Sequence, residues 1–270
     1  MRSTIPQLML IKQPPVKAGQ LPLNDEYQFY YKKFFSRFAH KAQTLCVTEP
    51  FIATELIKKY PTLSGKVTTI LHGLQPGYAA LDGEEKEQVL LKYAGGHEYF
   101  LCECSSFTQQ NLLAILKAFS IFKKRLKSGM RLIVLNRLDS IPITDFKNYK
   151  YRNEVRFISN FTSEEEQTLI GAAYAGIYMP SLTVAENMGL HCMKSAVPLI
   201  CSSGFGYESM YETAAMYAGN DDKEIAECIM TLYKDEVFRS QIVAKGTALS
   251  ARYNWNESSA KLWQTISNYI

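Results

Sequence analysis

From Tyr99 to the C-terminus, short apolar runs alternate with longer amphipathic segments, and few architectures accommodate that alternation. Tyr99–Cys104, Arg131–Leu135, Val155–Ile158, Gly176–Met179 and Pro198–Cys201 are each long enough for a strand and mostly apolar. Strands without a polar face are buried on both sides, the mark of a parallel sheet covered by helices. Between them the period becomes helical. Gln109–Leu126 places Leu112, Ile115, Leu116, Phe119 and Phe122 on one face. Thr162, with Glu165 three residues on, starts a helix through about Ala173 with a capping-box pattern. Further helices are expected at Glu84–Tyr93 (stopped by Gly95–Gly96), about Ala185–Ser195, Asp222–Tyr233, Glu236–Ala251 and Glu257–Tyr269. Nearer the N-terminus, Gln7–Ile11, Thr44–Thr48 and Val67–Leu71 read as strands. Asn24–Gln43 and Pro50–Tyr60 read as helices, the latter with proline in its first turn.

Composition excludes more than it identifies. The 270 residues are enough to bury a core, and 47% hydrophobic with 21% charged residues is ordinary for a globular chain. A net charge of +4 gives no reason to expect nucleic acid as a partner. No run reaches the roughly eighteen apolar residues of a membrane span. Met1–Leu10 is interrupted by Pro6 and does not resemble a signal peptide. Cys46, Cys102, Cys104, Cys192, Cys201 and Cys228 sit mostly in apolar runs without paired spacing. They read as reduced core thiols of a cytoplasmic protein.

The order of segments resembles the C-terminal half of retaining glycosyltransferases of the GT-B class, the family-1-like glycosyl transferases. Lys41–Glu49, "KAQTLCVTE", is similar to the family's "adxvvxvSe", and Lys66–Tyr78, "KVTTILHGLQPGY", to its hinge "kixvixnGvdxxxF". Tyr99–Phe119 resembles "yxLxvgxxxxrKNlxxllxAf". Val155–Ile158 with Ser163–Ser181 resembles "VxfxGxvsdeelxxlyxxAxxxvxPS". Ala214–Asp222 resembles "dAAxyxxpxD", and Tyr253–Trp255 the "fsW" before the last helix. The resemblance implies a Rossmann-like parallel sheet flanked by helices over residues 74–255, a small N-terminal remnant over 1–73, and a final helix, 256–270, crossing back to that remnant. It also implies a nucleotide sugar as donor, a glycan or lipid-linked acceptor in polysaccharide or lipopolysaccharide assembly, and no cofactor or metal. Gln7–Ile11 would be a late strand of the acceptor half, most of which is expected to lie outside this chain.

The departures concern the donor. The family grips the donor diphosphate with an arginine and a lysine after the first C-domain strand, where negative charge grows as the nucleotide leaves. Here Ser105–Asn111 keeps Asn111, but Gln109 and Gln110 replace both cations. Arg137, after the next strand, is the substitute cation that would reach the same crevice. The family's glutamate pair is reduced to Glu186 within Pro180–Pro198. One alignment puts Glu186 on the first glutamate and Lys194 on the second. The other, anchored on Met193–Pro198 without a gap, puts His191 on the second.

Each candidate has a plain structural alternative. Glu186 is a donor-site carboxylate or a solvated first-turn residue favoured by the helix dipole. Gly189 serves the donor or lets the helix approach the sheet. His191 touches ribose or base, or is a buried structural histidine. Gly204 and Gly206, between a strand and a helix, sit where backbone amides meet phosphate, although "GFG" falls short of a dinucleotide fingerprint. Lys123, Lys124, Arg125, Lys127 and Arg131 form a basic cluster at a helix end, or a solvated surface. In Tyr27–Lys41 an aromatic face opposes a basic one, as in a helix lying at the inner face of a membrane or packed on the sheet. Two function classes follow: a nucleotide-sugar glycosyltransferase, or a non-catalytic relative that binds a nucleotide, a glycan or a partner.

Overall fold

The computed structural model describes residues 5–12, 29, 33–106, 108–138, 140, 146–181, 187–204 and 206–269. They form two compact units, one from Met1–Leu74 with Tyr253–Ile270, the other from Gln75–Ser181 with Asn187–Arg252.

The first unit holds β1 (Leu8–Ile11), α1 (Phe35–Lys41), β2 (Thr44–Val47), α2 (Pro50–Lys59), β3 (Val67–Thr69) and the C-terminal helix. The sheet order is β1-β2-β3, parallel throughout, with Leu8 opposite Thr44 and Leu45 opposite Val67. The central strand β2 is buried along its whole length, as a strand covered on both faces must be. Phe35, Ala39, Leu45, Val47, Ile52, Leu56 and Leu63 make this unit's core. Lys66 closes the end of α1 by donating to the carbonyls of His40 (2.8 Å) and Ala42 (3.0 Å), where orphan carbonyls favour a cation. Of the aromatic face expected over Tyr27–Lys41, Phe35 is buried and Phe38 is 43% exposed. Residues 27, 28 and 30–32 lie outside the described residues.

The second unit contains α3 (Gly83–Ala94), β4 (Tyr99–Cys104), α4 (Leu112–Leu126), β5 (Arg131–Asn136), β6 (Val155–Ile158), α5 (Ser163–Gly171), β7 (Ala175–Tyr178), α6 (Met188–Lys194), β8 (Leu199–Ser202), α7 (Tyr207–Tyr211), β9 (Ala215–Ala218), α8 (Asp222–Lys234) and α9 (Glu236–Ser250). Helix α10 (Trp255–Ser267) belongs to the first unit. The six strands run parallel in the order β6-β5-β4-β7-β8-β9. This is the doubly wound Rossmann order, and it reverses between β4 and β7. All five strands read from the apolar runs are present and parallel. Strand β9 is an addition: Ala215–Ala218 is short and alanine-rich, with little strand propensity of its own, and pairing with β8 holds it.

Local signals act where the sequence places them. Thr162 accepts from the Glu165 amide while Glu165 reaches back to the Thr162 amide. Asp82 and Glu85 make the same reciprocal cap on α3, and Gly95 ends that helix in the left-handed region (φ 62°). The apolar face of α4 is fully enclosed: Leu112, Ile115, Leu116, Phe119 and Phe122 are each 1% exposed or less. Phe122 meets Phe100 and Tyr233 edge-on, both at 5.2 Å. The six cysteines are buried free thiols. Burial raises them, Cys104 and Cys228 to about 11, so they stay protonated near neutrality and pack as small apolar groups.

Helix α10 is fastened to the first unit at both ends. Ser258 donates to the Leu71 carbonyl, and Tyr269 shares a 2.7 Å hydrogen bond with Thr44. A Cβ on Gly73 would stand 2.2 Å from the Trp255 ring, so this position needs hydrogen for its side chain. Gly73→Ala is expected to push the indole aside, with a loss of about 1–3 kcal/mol of stability. Urea unfolding followed by tryptophan emission checks this, and an unshifted spectrum with unchanged midpoint would show that the contact carries no weight.

Candidate functional site

An open parallel sheet binds ligands beyond the carboxyl ends of its strands, at the point where strand order reverses. In the six-stranded unit that point lies between the ends of β4 and β7. The loop after β4 is tightly organised. Thr108 Oγ1 accepts from the Ser105 amide (2.8 Å) and donates to the Glu103 carbonyl (2.8 Å). This geometry presents Gln109–Asn111 as a short turn entering α4. Asn111 is buried, and its side-chain amide donates to the Met179 carbonyl at 2.8 Å, joining the two strand ends across the reversal. Beside it, Ser202 at the end of β8 donates to the Pro180 carbonyl (3.2 Å). Asn111 therefore shapes the floor of the crevice.

Arg137 follows β5, and its amide donates to the Cys104 carbonyl at 2.8 Å. Its guanidinium is held on both sides, with Nε 3.4 Å from Glu103 Oε2 and Nη2 2.5 Å from Glu166 Oε1. The guanidinium carbon also lies 5.0 Å from the Phe161 ring centre. Burial disfavours its charge, but Glu103 and Glu166 more than offset that, so Arg137 is held above the usual arginine range. Two carboxylates against one guanidinium leave this group with a net negative charge. The sequence reading identifies Arg137 but misses both partners. Glu103 was legible as the lone charge inside an apolar strand; Glu166 is one of three consecutive glutamates, and nothing distinguishes it from its neighbours.

The remaining candidates divide by role. Gly189, in the first turn of α6, is a packing residue. A Cβ there would lie 2.5 Å from the Tyr211 hydroxyl and 2.9 Å from Leu199 Cδ2. Asn187 caps this helix by accepting from the Leu190 amide, and also accepts from the Tyr211 hydroxyl. His191 is buried, with its ring stacked on Tyr78 (centroids 3.8 Å apart, planes within 9°). Gly204 and Gly206 both have left-handed backbones (φ 90° and 83°). The Gly204 amide already donates to Glu208 Oε1 at 2.5 Å, so this amide is taken by a carboxylate of the chain itself. Glu186 lies outside the described residues.

No protein-family model matches the sequence, and no curated protein matches it. Solved structures do. HepE of Anabaena in complex with UDP and glucose superposes with a TM-score of 0.78 at 11% identity, over 97% of this chain and 71% of that one. A glycosyltransferase of Rickettsia africae gives 0.74 at 14% identity (97% and 70%). Sucrose-phosphate synthase of Thermosynechococcus elongatus gives 0.74 at 14% (97% and 67%). At such identities the likeness is one of fold. The chain has the Rossmann-like α/β architecture of the GT-B glycosyltransferases.

Gly189→Ala is expected to lower stability by about 1–3 kcal/mol through overpacking against Tyr211 and Leu199. Denaturant midpoints check this. Unchanged stability together with lost nucleotide binding would return Gly189 to the ligand.

Proposed function

We propose that this chain is a glycosyltransferase-type protein that takes a nucleotide sugar at the carboxyl edge of its six-stranded sheet, and that alone it transfers sugar weakly or not at all. The ligand class is supported by the fold and by neighbours such as HepE, solved in complex with UDP and with UDP-glucose. The limit on catalysis is carried by one observation: Arg137, a cation near the switch point, is held between Glu103 and Glu166. A leaving diphosphate gains negative charge in the transition state, and a charge-assisted contact contributes about 1.5–3 kcal/mol. Gln109 and Gln110 bring no charge to replace the two cations of the resembled motif. Two such losses lower a rate by several orders of magnitude, since about 1.4 kcal/mol is tenfold.

In this reading the acceptor is a glycan or lipid-linked sugar in surface polysaccharide assembly on the cytoplasmic side. The basic, aromatic segment Tyr27–Lys41 would approach the membrane. Among the described residues no helix is long and apolar enough to cross one. A second reading, a fully competent transferase, is favoured by one fact: the Arg137 side chain is 39% exposed and has solvent beside it into which it can turn.

Calorimetric titration of UDP, GDP, ADP and their glucose conjugates tests both readings. Glu166→Gln, which releases one arm of Arg137, should tighten nucleotide binding about tenfold, or about 1.4 kcal/mol. Arg137→Ala should weaken it, with sugar-nucleotide turnover low in all three proteins. Fast turnover that collapses in Arg137→Ala would establish the second reading. Absence of binding by every nucleotide would remove both.

A further inference from the structure

We infer that the six-stranded unit carries a second ligand site on its opposite, amino edge, built for the phosphate of a small phosphorylated molecule such as a sugar monophosphate. The observation is an open surface cleft of about 410 Å³ lined by His97, Lys123, Lys127, Arg131, Tyr151 and Glu154. This volume lies within the range of small-molecule sites, about 300–1,000 Å³. Its walls come from the segments leading into β4, β5 and β6 and from the end of α4, so it faces away from the switch point.

The charges are arranged for an anion. Three permanent cations face a single carboxylate. Lys123 is buried, and its ammonium donates to the carbonyls of Ser128 and Met130 (3.1 Å for the latter) and to Glu154. Those three acceptors use its three N–H groups. Lys123 is therefore spent on the carbonyls of the loop between α4 and β5 and on Glu154, and it neutralises acceptors that would otherwise repel an anion. Glu154 is shared between Lys123 and Arg131 (3.8 Å), which leaves most of the Arg131 fork and all of Lys127 for a ligand.

Lys127 stands at the mouth of this cleft. It ends α4 with a left-handed backbone (φ 49°), a position where glycine is favoured and a lysine is strained. That backbone turn sets the Lys127 side chain at the rim of the basic cleft. His97 closes one side, with its ring 3.3 Å from where a Cβ on Gly129 would lie. Tyr151, packed edge-on against Phe119 at 6.4 Å, supplies an aromatic wall for a sugar face.

The site is separate from the nucleotide crevice and stands whether or not the chain transfers sugar. The test uses the full chain, titrated by calorimetry with inorganic phosphate, glucose 6-phosphate and glucose, with and without saturating UDP. Imidazole NMR signals of His97 are followed alongside. Phosphate and glucose 6-phosphate should bind and shift His97, glucose should not, and UDP should displace neither. Arg131→Gln should weaken glucose 6-phosphate binding at least tenfold and leave UDP affinity unchanged. Lys127→Gly should also weaken it while unfolding at the same or higher denaturant concentration than the parent, which separates ligand contact from folding. Unaltered phosphate affinity in both variants, or mutual displacement of phosphate and UDP, would overturn the site. So would failure to bind phosphate while vesicles containing phosphatidylglycerol do bind, which would mark a membrane-facing surface instead.

Discussion

The reversal of strand order between β4 and β7 is the constraint from which the candidate site follows. Strands buried on both faces have no side-chain route to solvent except at their ends, so chemistry collects there. At the reversal, the connections beyond the paired strands pass to opposite faces of the sheet and leave a crevice outside their carboxyl ends. Asn111 donates to Met179 there, and Ser202 secures the adjoining Pro180. Asn111 therefore has a structural role: its side chain ties the start of α4 to the end of β7.

Electrostatics at this edge runs against the usual logic of a phosphate site. A guanidinium and a glycine turn are both present, and each interacts with a carboxylate from its own chain. Arg137 is held by Glu103 and Glu166, and the Gly204 amide by Glu208. A half-buried arginine between two acids is well satisfied, and removing one partner leaves a charge to be solvated in partly apolar surroundings. Under the proposed function, a diphosphate at this edge would exchange an internal anion for an external one.

The first unit shows the same economy with polar groups. Glu49, at the end of β2, is fully buried, accepts a 3.1 Å hydrogen bond from the Tyr253 hydroxyl and lies 3.5 Å from His72 Nδ1. The His72 ring rests edge-on against Tyr253 at 5.3 Å, and the Leu74 amide donates to the Tyr253 carbonyl. One carboxylate thus gathers the ends of β2 and β3 and the segment leading into α10. The tyrosine of the "fsW"-like ending acts through its hydroxyl as a structural anchor.

Much of the fold was legible along the chain because its signals are local. Strand-length apolar runs, the Thr162–Glu165 cap, the Gly95 stop and the apolar face of α4 depend on residues a few positions apart, and the structure realises them with shifts of a residue or two. Strand β9 was not legible, since alanines become a strand only when a neighbour offers an edge. The site was legible by position and much less by role. Sequence placed Asn111, Arg137, Gly189 and His191 near strand ends or helix starts, and the loss of cations at Gln109 and Gln110 is plain in the residues themselves. Only the tertiary structure showed that Arg137 is paired twice, that Gly189 yields space to Tyr211, that His191 stacks on Tyr78, and that Lys123 is buried at the wall of a basic cleft. Those facts rest on contacts between residues tens of positions apart. Periodicity and composition carry no record of such contacts, because the energy that decides them exists only once the chain has closed on itself.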